Sequence, residues 1–196
     1  MSSVRELAAK VREAATRLAL LTTEEKNDAL MKIADALEDN REMILARNRE
    51  DVERERAGGM SESLLDRLSL SEKRISAMAE GVRQVAALPD PVGEIIDETV
   101  RPNGLRIRRV RVPVGVIGMI FEARPNVSVD SASLAIKAGS GIILRGSRSA
   151  AVSNRALVDV MKEALGGTAV PATRTASGLG PGCALSQASS SATNWL

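Results

Sequence analysis

Residues 114–147 read VGVIGMIFEARPNVSVDSASLAIKAGSGIILRGS, and the fold turns on how this stretch alternates between apolar runs and polar breaks. VGVIGMIF is almost wholly apolar, the pattern of a strand covered on both faces in a parallel sheet. VSVDSASLAIKAGS then spaces its apolar residues as a helix does, with Lys137 in the last turn and Gly139 beyond it, both favourable at the negative end of a helix dipole. GIILRGS repeats the buried-strand pattern, and SNRALVDVMKEALGG reads as a second helix. Strand, helix, strand, helix predicts a right-handed crossover unit, the opening of a doubly wound α/β domain. Such sheets bind ligands at the carboxyl ends of their strands, and the polar clusters EARPNV and RGSRS fall at those ends.

Working outward, residues 4–87 recur apolar at helical spacing, as in Leu7, Val11, Ala14 and Leu18, and predict about four amphipathic helices. Thr22 with Glu25, and Ser69 with Glu72, fit the capping box at helix entrances, while Gly58-Gly59 is expected to end the third helix. The run RNREDVERERAGG mixes its signs and reads as a solvated helix face. Pro89 and Pro91 stop the helical pattern. EIIDETV and LRIRRVRV flank RPNG, which predicts a β-hairpin, with a bulge or exposed edge at Arg108-Arg109. From Gly167 onward charge nearly vanishes, so disorder is expected there and no further strand. The expected organisation is therefore a helical part over residues 1–88, a hairpin over 89–113 that could serve oligomerisation, the start of a dinucleotide-binding sheet over 114–166, and a low-complexity tail over 167–196. The fold class is α/β, with the doubly wound parallel sheet incomplete.

Composition narrows the chemistry. Lys+Arg 27 against Asp+Glu 25 gives a net charge of +2, too small for a global field toward nucleic acid or membrane. With Phe 1, Trp 1 and no tyrosine, RIRRVR has almost nothing to stack on bases. Histidine is absent, which excludes Ser-His and Cys-His pairs and histidine metal sites. The lone Cys183 and an N-terminus without a signal-peptide core predict a cytoplasmic protein.

VPVGVIGMIFEARPNVSVDSASLAIKAGSGIILRGS, LTTEEKNDALMKIADALEDNREMIL, GMSESLLDRLSLSEKRI and LPDPVGEIID together resemble consecutive blocks of the gamma-glutamyl phosphate reductase (glutamate-5-semialdehyde dehydrogenase) family, a branch of the aldehyde dehydrogenase superfamily. The resemblance runs from about residue 5 to about residue 166. It implies NADPH-dependent reduction of gamma-glutamyl phosphate to glutamate 5-semialdehyde and phosphate in proline biosynthesis, through a cysteine thiolate that lies in a catalytic domain this stretch does not include. It further implies a homo-oligomer, with contact to glutamate 5-kinase as a further expectation. The sequence reads as the N-terminal portion of such an enzyme, inactive by itself; the alternative is a noncatalytic oligomerisation or regulatory fragment of the same family. Cys183 does not match the family nucleophile.

Site residues follow from the same resemblance. From its chemistry alone Asn126 after a proline is a turn former; the resemblance makes it the oxyanion donor, delivered from a stiff strand end by Pro125. Arg145 reads either as an exposed arginine past a strand or, by resemblance, as the cation for the 2′-phosphate of NADP. Gly146 would allow close backbone approach to that cofactor, and Ser147 lies beside it, where relatives carry Gly-Gly-x-Glu and this chain has Gly146-Ser147-Arg148-Ser149. Glu122 and Arg124 face the charged ends of the substrate or pair with each other.

Overall fold

Five helices occupy the first half of the chain: α1 Val4–Leu18, α2 Thr23–Asp39, α3 Arg41–Ala57, α4 Glu62–Leu68 and α5 Glu72–Ala87. The computed structural model describes residues 4–171 and 185–187. One helix more than the expected four appears because the chain after Gly59 forms two helices, α4 and α5, while α2 and α3 are separated by Asn40 alone, whose side-chain amide donates to the Ala36 carbonyl and closes α2. Thr22 caps α2 with the full capping box: its hydroxyl accepts from Glu25 N at 3.2 Å while Glu25 Oε2 accepts from Thr22 N at 2.8 Å. Each such cap contributes about 1 kcal/mol by satisfying amides that the helix leaves open. The second expected box is displaced. Ser71, not Ser69, caps α5, accepting from Arg74 N, because Ser69 instead turns its hydroxyl back to the Leu65 carbonyl and ends α4. Gly58 and Gly59 end α3 as expected, with Gly59 at φ +82°.

α2 is the centre of the core. Ala29, Leu30, Ile33, Ala34 and Leu37 all lie on one stripe and are fully buried, which is what their three- and four-residue spacing requires. α5 and two later helices, α6 Asn126–Lys137 and α7 Ala151–Leu165, close around that stripe.

The hairpin pairs β1 Ile95–Val100 antiparallel with β2 Arg106–Val110, through a turn in which Gly104 takes φ +81°. The irregularity falls at Ile95/Asp97 on β1 rather than at Arg108-Arg109, because Arg108 stays in register opposite Glu98 and Arg109 opposite Asp97. Both strands are exposed along their whole length. Arg106 and Arg108 both bind Glu98, and Arg111 binds Glu94, so most of the positive charge of RIRRVR is already paired within the hairpin.

β3 Val116–Ile120, α6 Asn126–Lys137, β4 Gly141–Arg145 and α7 Ala151–Leu165 form the expected crossover unit, with β3 and β4 parallel from Val116↔Gly141 to Ile120↔Arg145. A single 3₁₀ turn, Arg148–Ala150, leads into α7. β4 is buried, but β3 is not covered on both faces: Ile117, Met119 and Phe121 pack toward the core while Ile120 is 74% exposed. β3 lies at the edge of the sheet, and on its outer face α1 meets it beside Val116 but leaves Ile120 open. Leu185–Gln187 forms a third strand, β5, parallel to β4, where no further strand was expected. Three residues pair there without the apolar periodicity that would have announced them. The expected disorder also does not begin at Gly167: Thr168 Oγ1 donates to Leu165 O at 2.9 Å and Val170 is buried in the core, while the remaining residues of that segment, Cys183 among them, lie outside the described residues.

Two buried polar clusters lock the helices to each other. In the first, Asp51, fully buried on α3, accepts from Ser153 N and Ser153 Oγ, each at 2.7 Å, while Asn48 receives Leu70 N and donates to Leu68 O and Ser153 Oγ. The charged run on α3 is thus not wholly solvated, since it contains two residues that bind the start of α7. In the second, Lys26 meets Asp90 at 2.5 Å, and Lys137, 3% exposed, donates to Asn27 Oδ1 and to the Ala86 carbonyl. Burial pushes the Lys137 ammonium below its ordinary value, with Asp90 acting against that shift and Lys26 adding to it.

Replacing Asp51 by alanine strands the Ser153 amide and hydroxyl in the interior, and urea denaturation is expected to show a loss of about 3 kcal/mol; a loss under about 1 kcal/mol would mean that α3 and α7 are held by apolar contact alone. Asp90 supplies a pH test. Burial alone would raise its carboxyl, but hydrogen bonds from Lys26, Val92 N and Thr23, with the Lys26 charge, hold it below the ordinary carboxylate value. Its contribution is therefore complete above about pH 4, the unfolded value, and lost as pH falls through the lower folded value. Asp90→Asn is expected to flatten the acid limb of a stability-versus-pH curve, with an unchanged limb as the contrary result.

Candidate functional site

The parallel pairing of β3 with β4 sets the geometry of the carboxyl edge. Ile120 stands opposite Arg145, and Phe121 N donates to the Arg145 carbonyl at 3.0 Å, extending the ladder one residue past β3. From that shared edge the chain leaves in two directions, through Glu122-Ala123-Arg124-Pro125 into α6 and through Gly146-Ser147 into the 3₁₀ turn before α7.

Asn126 does not project from a strand end. It is the first residue of α6, because Pro125 itself adopts helical angles, φ −56° and ψ −34°, and its missing amide costs nothing in the first turn of a helix. Val127 N donates to Arg124 O and Ser128 N to Pro125 O, which completes that turn. The Asn126 carboxamide donates from Nδ2 to Asp130 Oδ2 at 3.0 Å, one turn along the same face. Nδ2 carries two hydrogens, and this bond uses one of them. Asp130 is exposed to solvent on one side, and protein atoms crowd the other; that partial desolvation raises its carboxyl above the ordinary value, and the hydrogen bond from Asn126 opposes the shift.

A cavity of about 420 Å³ lies between α6 and the α4–α5 corner, lined by Asn126, Asp130 and Arg124 on one side and by Asp66, Arg67 and Arg74 among others on the opposite one. Arg74 is already paired: it binds Asp66 Oδ1 at 2.9 Å and the carbonyls of Asp66 and Ser69. The guanidinium groups of Arg67 and Arg124 have no hydrogen-bond or ion-pair partner among the described residues. Glu122 and Arg124 meet through their backbones, Arg124 N to Glu122 O at 2.8 Å, and not as an ion pair; Glu122 does not line the cavity.

On the β4 side, Arg145 is exposed and its guanidinium has no partner among the described residues. Ser147 Oγ lies 2.7 Å from Ser149 Oγ. Gly146 has an internal steric role: a Cβ there would lie 2.1 Å from Asn154 Nδ2 and 3.2 Å from the Phe121 ring. Asn154 is fully buried and accepts from Ser128 Oγ at 3.1 Å, so Gly146 lets the first turns of α6 and α7 close on the strand ends. Arg54, reaching from α3, donates to the Arg148 and Ser149 carbonyls and fixes the segment that follows.

The structure thus brings Arg124 and Asn126 into one cavity and places Arg145, Gly146 and Ser147 along the adjoining strand edge. Sequence reasoning missed Asp130, although its position four residues after Asn126 on a helix was a usable signal. It also missed Asp66, Arg67 and Arg74, for which no local signal existed. No group of His, Cys, Asp or Glu that could hold a metal ion occurs among the described residues, and no helix there is long and apolar enough to cross a membrane.

Residues 1–176 match the aldehyde dehydrogenase family. The chain is 57% identical over 173 residues to gamma-glutamyl phosphate reductase of Geobacillus thermodenitrificans, an alignment covering 88% of this chain and 42% of that protein. Among solved structures it superposes on gamma-glutamyl phosphate reductase of Thermotoga maritima with TM-score 0.85 at 45% identity, covering 95% of this chain and 43% of that one. The corresponding protein of Saccharomyces cerevisiae gives TM-score 0.87 at 30% identity, covering 98% and 47%. The chain therefore spans about two fifths of the length of the curated relatives it matches.

Because the Gly146 position is filled by a neighbour's amide, Gly146→Ala is expected to destabilise the fold by about 1–3 kcal/mol. Combining it with Asn154→Ser, which withdraws the clashing atom, is expected to recover part of that loss. Thermal denaturation of the single and double variants reads the outcome, and two additive losses would mean that the two residues do not compete for space.

Proposed function

We propose a function from one premise: the chain belongs to the aldehyde dehydrogenase family. Its part in catalysis is in NADPH-dependent reduction of an acyl phosphate, gamma-glutamyl phosphate, to glutamate 5-semialdehyde, a step of proline biosynthesis. The observation that supports this most directly is the Ile120↔Arg145 pairing, which starts the Asn126 segment and the Arg145 segment from one strand edge in a chain 57% identical to a reductase of that name.

Asn126 acts on the acyl group. The Nδ2 hydrogen not engaged by Asp130 donates to the carbonyl oxygen as it gains negative charge, and a donor held in place for that oxygen is worth about 3 kcal/mol in the transition state. The Asn126–Asp130 bond keeps the carboxamide from rotating its donor away. No cysteine lies among the described residues, so the nucleophile implied by the family is not one of the groups placed here.

The dinucleotide supplies hydride when bound. The rim fits its phosphorylated ribose: Arg145 offers an exposed guanidinium suited to paired bonds with a 2′-phosphate, and Ser147 a hydroxyl beside it. The exposed apolar side chains of the hairpin, Ile95, Ile96, Val100, Leu105, Ile107 and Val110, suit self-association of subunits.

In a full-length enzyme that joins this segment to a catalytic domain carrying the cysteine, Asn126→Ala is expected to lower kcat by about two to three orders of magnitude with a much smaller change in KM. Retention of full turnover would remove the oxyanion role. The rim is tested separately on the chain itself: adenosine 2′-phosphate is expected to shift the Arg145 resonances in an NMR titration, and Arg145→Ala to weaken its binding about tenfold, while plain adenosine is unaffected by the substitution.

A further inference from the structure

The cavity beside Asn126 has an uneven charge count once its internal pairs are removed. Arg74 and Asp66 neutralise each other across 2.9 Å, and Arg74 gives two further donors to carbonyls. Two open cations remain, Arg67 on the α4 side and Arg124 at the entrance to α6, with one open anion, Asp130, whose carboxylate is met among the described residues by the neutral Asn126 amide alone. A ligand complementary to that wall carries two anionic groups and one cationic group.

We infer that this cavity is the recognition site for the α-amino acid end of the substrate, with Arg67 binding its α-carboxylate, Asp130 binding its α-ammonium and Arg124 facing the acyl phosphate. The inference rests on the proposed reductase reading and deepens it by naming what selects an amino-acid acyl phosphate over a plain one. Arg124 is assigned the reacting end because it lies two residues before Asn126, whose amide must meet the carbonyl oxygen. Arg67 comes from the opposite wall and so meets the far end of the ligand. Asp130 can serve the ammonium while Asn126 serves the carbonyl: the two side chains are 3.0 Å apart, and a hydrogen bond of about 2.9 Å from each leaves room for ligand groups separated by several ångströms. The desolvated Asp130 carboxylate regains through a substrate ammonium the charge stabilisation that its surroundings withhold. The cavity, about 420 Å³, lies within the range of small-ligand sites and is larger than an extended glutamyl group requires.

The test is calorimetric or NMR titration of the 196-residue chain with three ligands that differ by one charge each: L-glutamate, γ-aminobutyrate, which lacks the α-carboxylate, and glutarate, which lacks the ammonium. L-glutamate is expected to bind about tenfold or more tightly than either of the others. Arg67→Ala is expected to weaken L-glutamate and glutarate binding by a similar factor and leave γ-aminobutyrate unchanged. Asp130→Asn is expected to weaken L-glutamate and γ-aminobutyrate and leave glutarate unchanged. Equal affinity for all three ligands, L-glutamate binding indifferent to both substitutions, or no L-glutamate binding would overturn the inference. If adenosine 2′-phosphate still binds at Arg145 in that event, the amino-acid site alone falls; if it does not, the reductase reading falls with it.

Discussion

The parallel register of β3 and β4 is the constraint on which the rest depends. With Ile120 opposite Arg145 and Phe121 N bonded to the Arg145 carbonyl, both chains leave the sheet from the same edge. A slip of one residue would turn every side chain of β3 to the other face and take Ile117, Met119 and Phe121 out of the core. At the opposite end Gly141 N donates to the Gly115 carbonyl at 2.8 Å, so the ladder is closed before its first paired residues as well. Between these two ends α6 has no freedom of placement: it begins at Asn126, ends at Lys137, and returns through Gly139 at φ +65°. The carboxamide of Asn126 is thereby presented by a helix whose two ends are tied to neighbouring strands.

Hydrophobic burial alone would not fix how the helices are turned against each other. The α2 stripe is apolar and almost non-directional, and several rotations of its neighbours would bury a similar area. Polar groups within the interior remove that freedom. Asp51 and Asn48 accept and donate only if α7 begins where Ser153 can reach them, and Lys26, Asp90 and Lys137 meet only if α2, the segment after α5 and the end of α6 converge. Each cluster gives back much of its attraction in desolvation, so its net stabilisation is modest. Its larger consequence is that wrong arrangements leave buried charges unpaired. The α3 cluster also bears on the site, since Arg54 bonds to Asp51 and to the carbonyls following Ser147.

Legibility in the sequence tracked distance along the chain. The βαβα order, the Thr22 capping box, the Gly58-Gly59 stop and the hairpin were readable because each is decided by residues within a turn or two of one another. The polar clusters EARPNV and RGSRS were readable because they close two recognisable strands, while Arg124, Asn126, Arg145, Gly146 and Ser147 became candidates within them through the family resemblance. The exposure of β3 was misread, since an apolar run reports that a strand can be buried and not whether another layer arrives to cover it. Ser69 was misread because its box spacing was correct while the α4 carbonyls competed successfully for its hydroxyl. α3 looked uniformly solvated because charge pattern carries no record of which polar residues a distant helix will meet.

The sequence alone determined the periodicities, caps and turns, and hence the order of elements and the edge at which the polar clusters would emerge, because these arise from backbone geometry and neighbours close in the chain. Only the tertiary structure decided that Asn126 would lie across a cavity from Arg67, that Gly146 would yield its space to Asn154, and that Lys26 and Lys137 would be buried beside Asp90. Those outcomes depend on contacts between residues tens of positions apart, where the energy of a side chain is set by what packs against it and not by its own place in the sequence.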